Sequence, residues 1–279
     1  MNDVESSLLG KEARYDHPYD PSLLYPLPRS EKRHKLGLHS TLPFHGLDLW
    51  TAFELSWLTP SGKPDVAIAE FRIPADSPNI VESKSFKLYL NSLNHHVFED
   101  AQSLVRHLER DLSKAVGATV TVTVKSLHSD RSALWAPDAT HINLDELDVA
   151  CRVYQPAPSL LECADPGQNV TVQEQVFSDV LRSNCPVTGQ PDWASIFIRY
   201  RGPQIDHASL LRYIVSFRQC QDFHEHCVER IFCDLMAQCR CESLSVCARY
   251  TRRGGLDINP YRATPDVGDL EWVGRTERQ

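Results

Sequence analysis

The sequence predicts an α+β protein of two similar modules, each an antiparallel sheet backed by a pair of helices. Three observations predict it. The order strand, strand, helix, helix, strand can be read twice along the chain. Residues 118–125 alternate with period two and are β-branched, while Ala101, Leu104, Val105, Leu108 and Leu112 recur at helical spacing. At about 150 residues per domain, 279 residues suffice for two compact units.

Taken in order, residues 1–45 read as an irregular arm, because Pro18, Pro21, Pro26, Pro28 and Pro43 interrupt any helix or ladder. Leu23, Leu24, Tyr25 and Leu27 make it an arm that packs on something. Residues 47–58 and 66–73 read as the two strands of a hairpin, joined by the turn Ser61-Gly62-Lys63-Pro64. Residues 82–93 read as a helix, and a second helix ends at Gly117 before the 118–125 strand. A linker falls within 127–170, which holds Pro137, Pro156, Pro158 and Pro166. Strands are then expected at 171–181 and 193–201, the latter with Ala194, Ile196, Ile198 and Tyr200 on one face. Asp206 caps a helix carrying Leu210, Leu211, Ile214 and Val215. The next helix carries Val228, Ile231, Phe232, Leu235 and Met236, and 243–251 is the closing strand. The expected division is an arm at 1–45, a first module at 46–150 and a second at 151–279. Open strand edges in such modules predict an oligomer, in the simplest case a homodimer.

Composition narrows the function. A net charge of −8 argues against a general nucleic-acid binder, which needs a broad cationic face. No apolar run approaches the roughly 18 residues of a membrane span. The acidic start Met1-Asn2-Asp3-Val4-Glu5 lacks the apolar stretch of a secretory signal, so a cytoplasmic location is expected. The nine cysteines all lie in the second half and form no C-x-x-C pair, which supports neither a zinc ribbon nor a thioredoxin-like motif. Neither G-x-G-x-x-G nor a P-loop is present.

Four segments can carry chemistry. In 183–193, Cys185 sits in a Pro/Gly turn between two strands, and Asp192 returns to its side at the start of the next strand. A thiolate with a nearby acid suits covalent attack on an electrophilic carbon; the alternative is a loop cysteine without a role. In Phe223-His224-Glu225-His226-Cys227, His224 and Cys227 are spaced to share a metal ion, yet H-E-x-x-H fails at Val228. A solvated first helical turn is another reading. Recognition of a flat heterocycle is a third, because Glu accepts two N–H donors at once and Phe can stack. In 82–89, free helix-start amides plus Lys84 suit an anion, or the segment is an ordinary amphipathic helix. In 249–260, paired arginines before Gly254-Gly255 suit a phosphate, or form a charged hairpin turn.

Together these segments resemble one family, the NADPH-dependent 7-cyano-7-deazaguanine reductases of queuosine biosynthesis in their long, two-module form. The resemblance runs from about Tyr19 to Asn259 and includes Leu42-Pro-Phe-His-Gly46, the run 82–92, Asn184-Cys185, Gln190-Pro-Asp-Trp193, Phe223-His-Glu225 and the run 250–260. It implies a tandem tunnelling fold. It also implies reduction of the nitrile of 7-cyano-7-deazaguanine to 7-aminomethyl-7-deazaguanine at the expense of two NADPH. Cys185 would form a thioimidate and Asp192 would protonate its nitrogen. Val81, Glu82, Ser83, His224 and Glu225 would hold the deazapurine, and Ser83, Lys84, Arg253 and Gly254 would contact NADPH. The substrate is then a free base, with no direct nucleic-acid contact, no membrane and no metal. Because Glu82 and Cys185 fall in different modules, the resemblance implies a site shared between modules or subunits. Two competitors are a zinc hydrolase similar to GTP cyclohydrolase I, using His224 and Cys227, and a non-catalytic pterin- or purine-binding module.

Overall fold

A computed structural model describes residues 18–39, 41–128, 134–164, 170–268 and 274–279. The acidic first residues and Pro166 of the linker lie outside them. The described residues form two compact units of mixed α and β structure. One comprises 18–39, 47–128 and Arg252–Ile258; the other comprises 41–46, 134–164, 170–251, 259–268 and 274–279. The units therefore do not follow a single cut near residue 150.

The first unit begins with a short strand, β1 (Pro26–Pro28), and a short helix, α1 (Ser30–Lys35). These replace the irregular arm expected from its prolines. The prolines are tolerated because hydrogen bonding to the neighbouring strand uses alternate residues: Tyr25 O accepts from Glu82 N and Arg29 N donates to Pro78 O. Pro26 and Pro28 fall at positions that face away. The core strands are β2 (His45–Leu58) and β3 (Pro64–Pro74), followed by β4 (Asn79–Val81), which pairs with β1. Helices α2 (Ser83–Ser92) and α3 (Ala101–Val116) come next, and β5 (Thr121–Lys125) pairs antiparallel with β3. Asp100 starts α3 by accepting from Ser103 N at 2.6 Å, and Gly117, at φ 74°, ends it. Leu104, Leu108, Leu112 and Val116 form its buried stripe against Trp50, Phe71 and Phe86. Leu24 of the arm is part of that core, and Arg29 forms a buried ion pair with Asp48.

The second unit repeats the plan. A short β6 (His141–Asn143) lies parallel to β7 (Thr171–Asn184). Then come β8 (Pro191–Pro203), α4 (His207–Ser216), α5 (His224–Cys239), β9 (Ser243–Tyr250) and β10 (Leu256–Ala263). The strand order is β10-β9-β8-β7-β6. The lengths repeat closely: β2 and β7 have 14 residues, α2 and α4 have 10, and α3 and α5 have 16. Both long strands carry a bulge, between Ala52 and Leu55 in one and between Ser178 and Leu181 in the other. Asp206 caps α4 by accepting from Ser209 N at 2.7 Å.

β10 was not expected, since Asp257, Asn259 and Arg262 break the apolar pattern and Pro260 argues against a strand. All eight of its residues are nevertheless buried. Its polar groups are satisfied inside: Asn259 Oδ1 accepts from Tyr250 N and Gln279 Nε2, and Arg262 donates to Glu229 through Nε at 3.1 Å and Nη2 at 2.8 Å.

Two predictions follow from these packed charges. Glu229→Ala leaves a guanidinium buried without its partner, so urea denaturation should show a loss of about 3–5 kcal/mol, which a paired Glu229→Leu, Arg262→Met change largely restores. The second concerns Glu174 and His207, whose side chains meet at 2.9 Å. The Glu174 hydrogen bond, with burial opposing it, raises the His207 pKa. Burial alone would raise Glu174, but bonds from His207, Tyr200 and Gln204 outweigh it and hold that carboxyl low. A raised His contributes fully below its unfolded value of about 6.5 and is lost as pH rises through its folded value; a lowered Glu contributes above about 4.5 and is lost on acidification. Stability from the pair should therefore be greatest between those values, and His207→Gln should flatten the decline measured by thermal unfolding above them.

Candidate active site

In the second unit, the β7–β8 hairpin sets the geometry. Ser183 lies opposite Asp192 and Asn184 opposite Pro191. Cys185 N donates to Gln190 O at 2.9 Å, so the ladder continues one residue past the strands. Gly189 N closes the loop onto Cys185 O at 3.0 Å, with Gly189 at φ 68°. Side chains alternate along a strand, so Ser183, Cys185 and Asp192 share one face, with Cys185 and Asp192 as diagonal neighbours. Both are buried, at 6% and 5% exposure.

The chain just before Cys185 is tied on both sides. Asn184 N donates to Cys220 O, Asn184 O accepts from Asp222 N, Asn184 Nδ2 donates to Arg218 O and Arg182 Nη2 donates to Asn184 Oδ1. Arg182 and Arg218 both lie over the Trp193 ring, at 5.3 and 5.5 Å.

The first turn of α5 brings the next groups. His224 Nε2 is 3.6 Å from Asp192 Oδ2. The His224 ring lies flat on Tyr250, with centroids 3.6 Å apart and planes 4° apart. Glu225 is buried. His226 points elsewhere, with Nδ1 on Asp222 at 3.2 Å. A hydrogen bond with Cys220, then burial, pushes the Cys227 thiol well up, which keeps it protonated. No group of three or more metal-ligating side chains occurs among the described residues.

The first unit holds the other candidate residues. Val81 is part of the apolar core, so its side chain is occupied there and only its backbone is available. Glu82 is the N-cap of α2: Oε1 accepts from Lys84 N at 2.7 Å and Oε2 from Ser85 N at 2.8 Å. The expected free amides at this helix start are thus already taken by Glu82. Burial raises the Glu82 pKa, opposed by those two amides and by Lys87. Ser83 is half-buried and its Oγ lies 3.5 Å from Glu82 Oε1.

Arg253, Gly254, Gly255 and Leu256 form a two-residue hairpin turn, in which Arg253 N donates to Leu256 O. Its central residues have φ 57° and 70°, which glycine adopts without strain. The turn is packed as well as bent: a Cβ on Gly255 would fall 2.3 Å from the Glu54 carboxyl carbon, and one on Gly254 3.2 Å from Lys87 Nζ. Phe53 N, released by the bulge in β2, donates to Gly255 O. Gly254 and Gly255 line a cleft of about 260 Å³ together with Lys84, Lys87, Asn91 and Glu54. Two ammonium groups beside exposed glycine backbone suit the phosphates of a dinucleotide. Lys87, Asn91 and Glu54 were not singled out in the sequence, although the one-turn spacing of Lys84 and Lys87 places both on one helix face.

Residues 15–124 match the family model described as "Nitrile reductase, 7-cyano-7-deazaguanine-reductase N-term", and 191–268 match "QueF-like protein". A protein of Burkholderia orbicola, named NADPH-dependent 7-cyano-7-deazaguanine reductase, is 56% identical over 92% of this chain and 93% of its own. Relatives of the same name from Dechloromonas aromatica and Bordetella avium are 55% and 56% identical, over 94% and 91% of this chain and 91% and 92% of theirs.

Glu82→Ala removes the cap from α2. Chemical denaturation should show a loss of about 1 kcal/mol, and Glu82→Asp should recover part of it.

Proposed function

Because the chain belongs to the 7-cyano-7-deazaguanine reductase family, we propose the following route for its NADPH-dependent reduction of the nitrile of 7-cyano-7-deazaguanine. The observation that carries it is the shared face of Cys185 and Asp192, with His224 Nε2 3.6 Å from Asp192 Oδ2. The Cys185 sulfur adds to the nitrile carbon. One π bond of the C≡N group breaks, a C–S bond forms, and the nitrogen takes a proton from Asp192, giving a thioimidate. The thiol proton goes to the Asp192–His224 pair, so the pair is left as it began.

NADPH, when bound, supplies hydride to carbon in each of two reductions. After the first, the C–S bond breaks, sulfur leaves as thiolate and an imine remains. The second gives the primary amine, and its nitrogen receives a further proton through Asp192 and His224. Glu225 accepts paired N–H donors from the heterocycle edge beside His224, and the family resemblance assigns Val81, Glu82 and Ser83 to substrate recognition as well. Lys84, Ser83, Arg253 and Gly254 hold the dinucleotide. The guanidinium of Arg253 favours the extra phosphate of NADPH over NADH.

The two modules each take the tunnelling fold. The chain acts as a cytoplasmic homodimer on a free base, without binding nucleic acid. β5 ends its sheet order, which leaves a strand edge for pairing.

Cys185→Ala should abolish both turnover, followed by loss of reduced-nicotinamide absorbance, and the covalent adduct seen by intact mass. A persisting adduct would refute the assignment. Asp192→Asn should slow reduction by about 100-fold or more while substrate affinity changes far less.

A further inference from the structure

We propose that Tyr250 is a positioning residue for this reaction, its ring holding the His224 imidazole so that Nε2 faces Asp192. The inference rests on the roles proposed above for His224 and Asp192. The stack is close and flat, at 3.6 Å and 4°. His224 is the first residue of α5, and Phe223 before it makes no side-chain cap. An imidazole at a helix end can turn about its last side-chain torsion, and a quarter-turn would swing Nε2 away from the carboxylate. A ring lying against its face forbids that turn.

The platform is itself immobile. Tyr250 is fully buried and ends β9, opposite Ala194, two residues beyond Asp192 on β8. Its N–H is held by Asn259 Oδ1 at 3.0 Å and its carbonyl by Gln279 Nε2 at 3.2 Å, while Thr251 N donates to Trp193 O at 2.9 Å. One strand pairing thus fixes both the carboxylate and the surface that orients its partner.

The hydroxyl plays no part in this. It lies beside Ser183 Oγ, and neither oxygen has a partner of hydrogen-bond geometry among the described residues. Burial, with Cys227 adding to it, pushes the phenol well above its ordinary range, so it stays un-ionised. The ring does the positioning, and Phe should replace Tyr.

The test mixes the full-length protein with 7-cyano-7-deazaguanine in the absence of NADPH and follows the Cys185 adduct by rapid-quench intact mass. Tyr250→Phe should form it within about twofold of the native rate, and Tyr250→Leu at least about tenfold more slowly with substrate affinity little changed. In NMR spectra, the upfield ring-current shift of the His224 carbon-bound protons should persist in Tyr250→Phe and vanish in Tyr250→Leu. Native adduct rate in Tyr250→Leu overturns the proposal. So does a slow Tyr250→Phe, which decides the matter even where Tyr250→Leu fails to fold. Asp192→Asn is run alongside: if it also forms adduct at the native rate, the underlying acid assignment has failed, and not the role of Tyr250 alone.

Discussion

Ser183 faces Asp192 across the antiparallel pairing of β7 with β8, and that register decides which side chains of the following loop can act together. Alternation then places Cys185 on the face of Asp192, and a slip of one residue would send the thiol to the opposite face. The surrounding bonds oppose such a slip. Asn184 is held through its backbone and its side chain, Cys185 N is bonded to Gln190 O, and the arginines on Trp193 pack over the strand ends. The loop itself is short and closed by Gly189, so it has little freedom to compensate.

The internal repeat places different side chains at corresponding positions of one plan. In the first unit, the β2–β3 turn runs through exposed Gly62, and Asp100 caps the long helix. At the corresponding places of the second unit stand Cys185 and the pair His224-Glu225. The reverse holds at the shorter helix. In α4 the cap is Asp206 and its neighbours are structural, whereas in α2 the cap is Glu82, beside Lys84 and Lys87. The residues proposed to carry chemistry thus sit at helix starts and hairpin loops held by a rigid frame. On the proposed roles, each unit uses a different one of these positions.

Much of this was legible in the sequence because it follows local rules. Helical stripes such as Leu104, Leu108 and Leu112, the Gly117 stop and the Asp206 cap need no tertiary knowledge. The four candidate segments stood out as well, but each also had a structural reading, and the roles proposed for them come from their joint resemblance to one family. What escaped depended on distant partners. β10 reads as polar until Glu229, Tyr250 and Gln279 are found to satisfy it. The prolines of β1 read as breakers until the pairing direction is known. Glu82 reads as leaving helix amides free, when its own carboxylate occupies them. The role proposed for Tyr250 is invisible in the sequence because it uses the face of the ring, and nothing in the spacing from residue 224 to residue 250 announces a stack.

The membership of Arg252–Ile258 in the first unit bears on how this chain could ever be divided. A gene split at the proline-rich connector would deliver an amino-terminal fragment without the glycine turn that receives the Phe53 amide. It would also lack Arg253 and Gly254, leaving Lys84 and Lys87 without the opposite wall of their cleft. Fission there would yield halves that are incomplete in structure before they are incomplete in chemistry. A circular permutant that kept 252–258 joined to the amino-terminal half would respect the true seam.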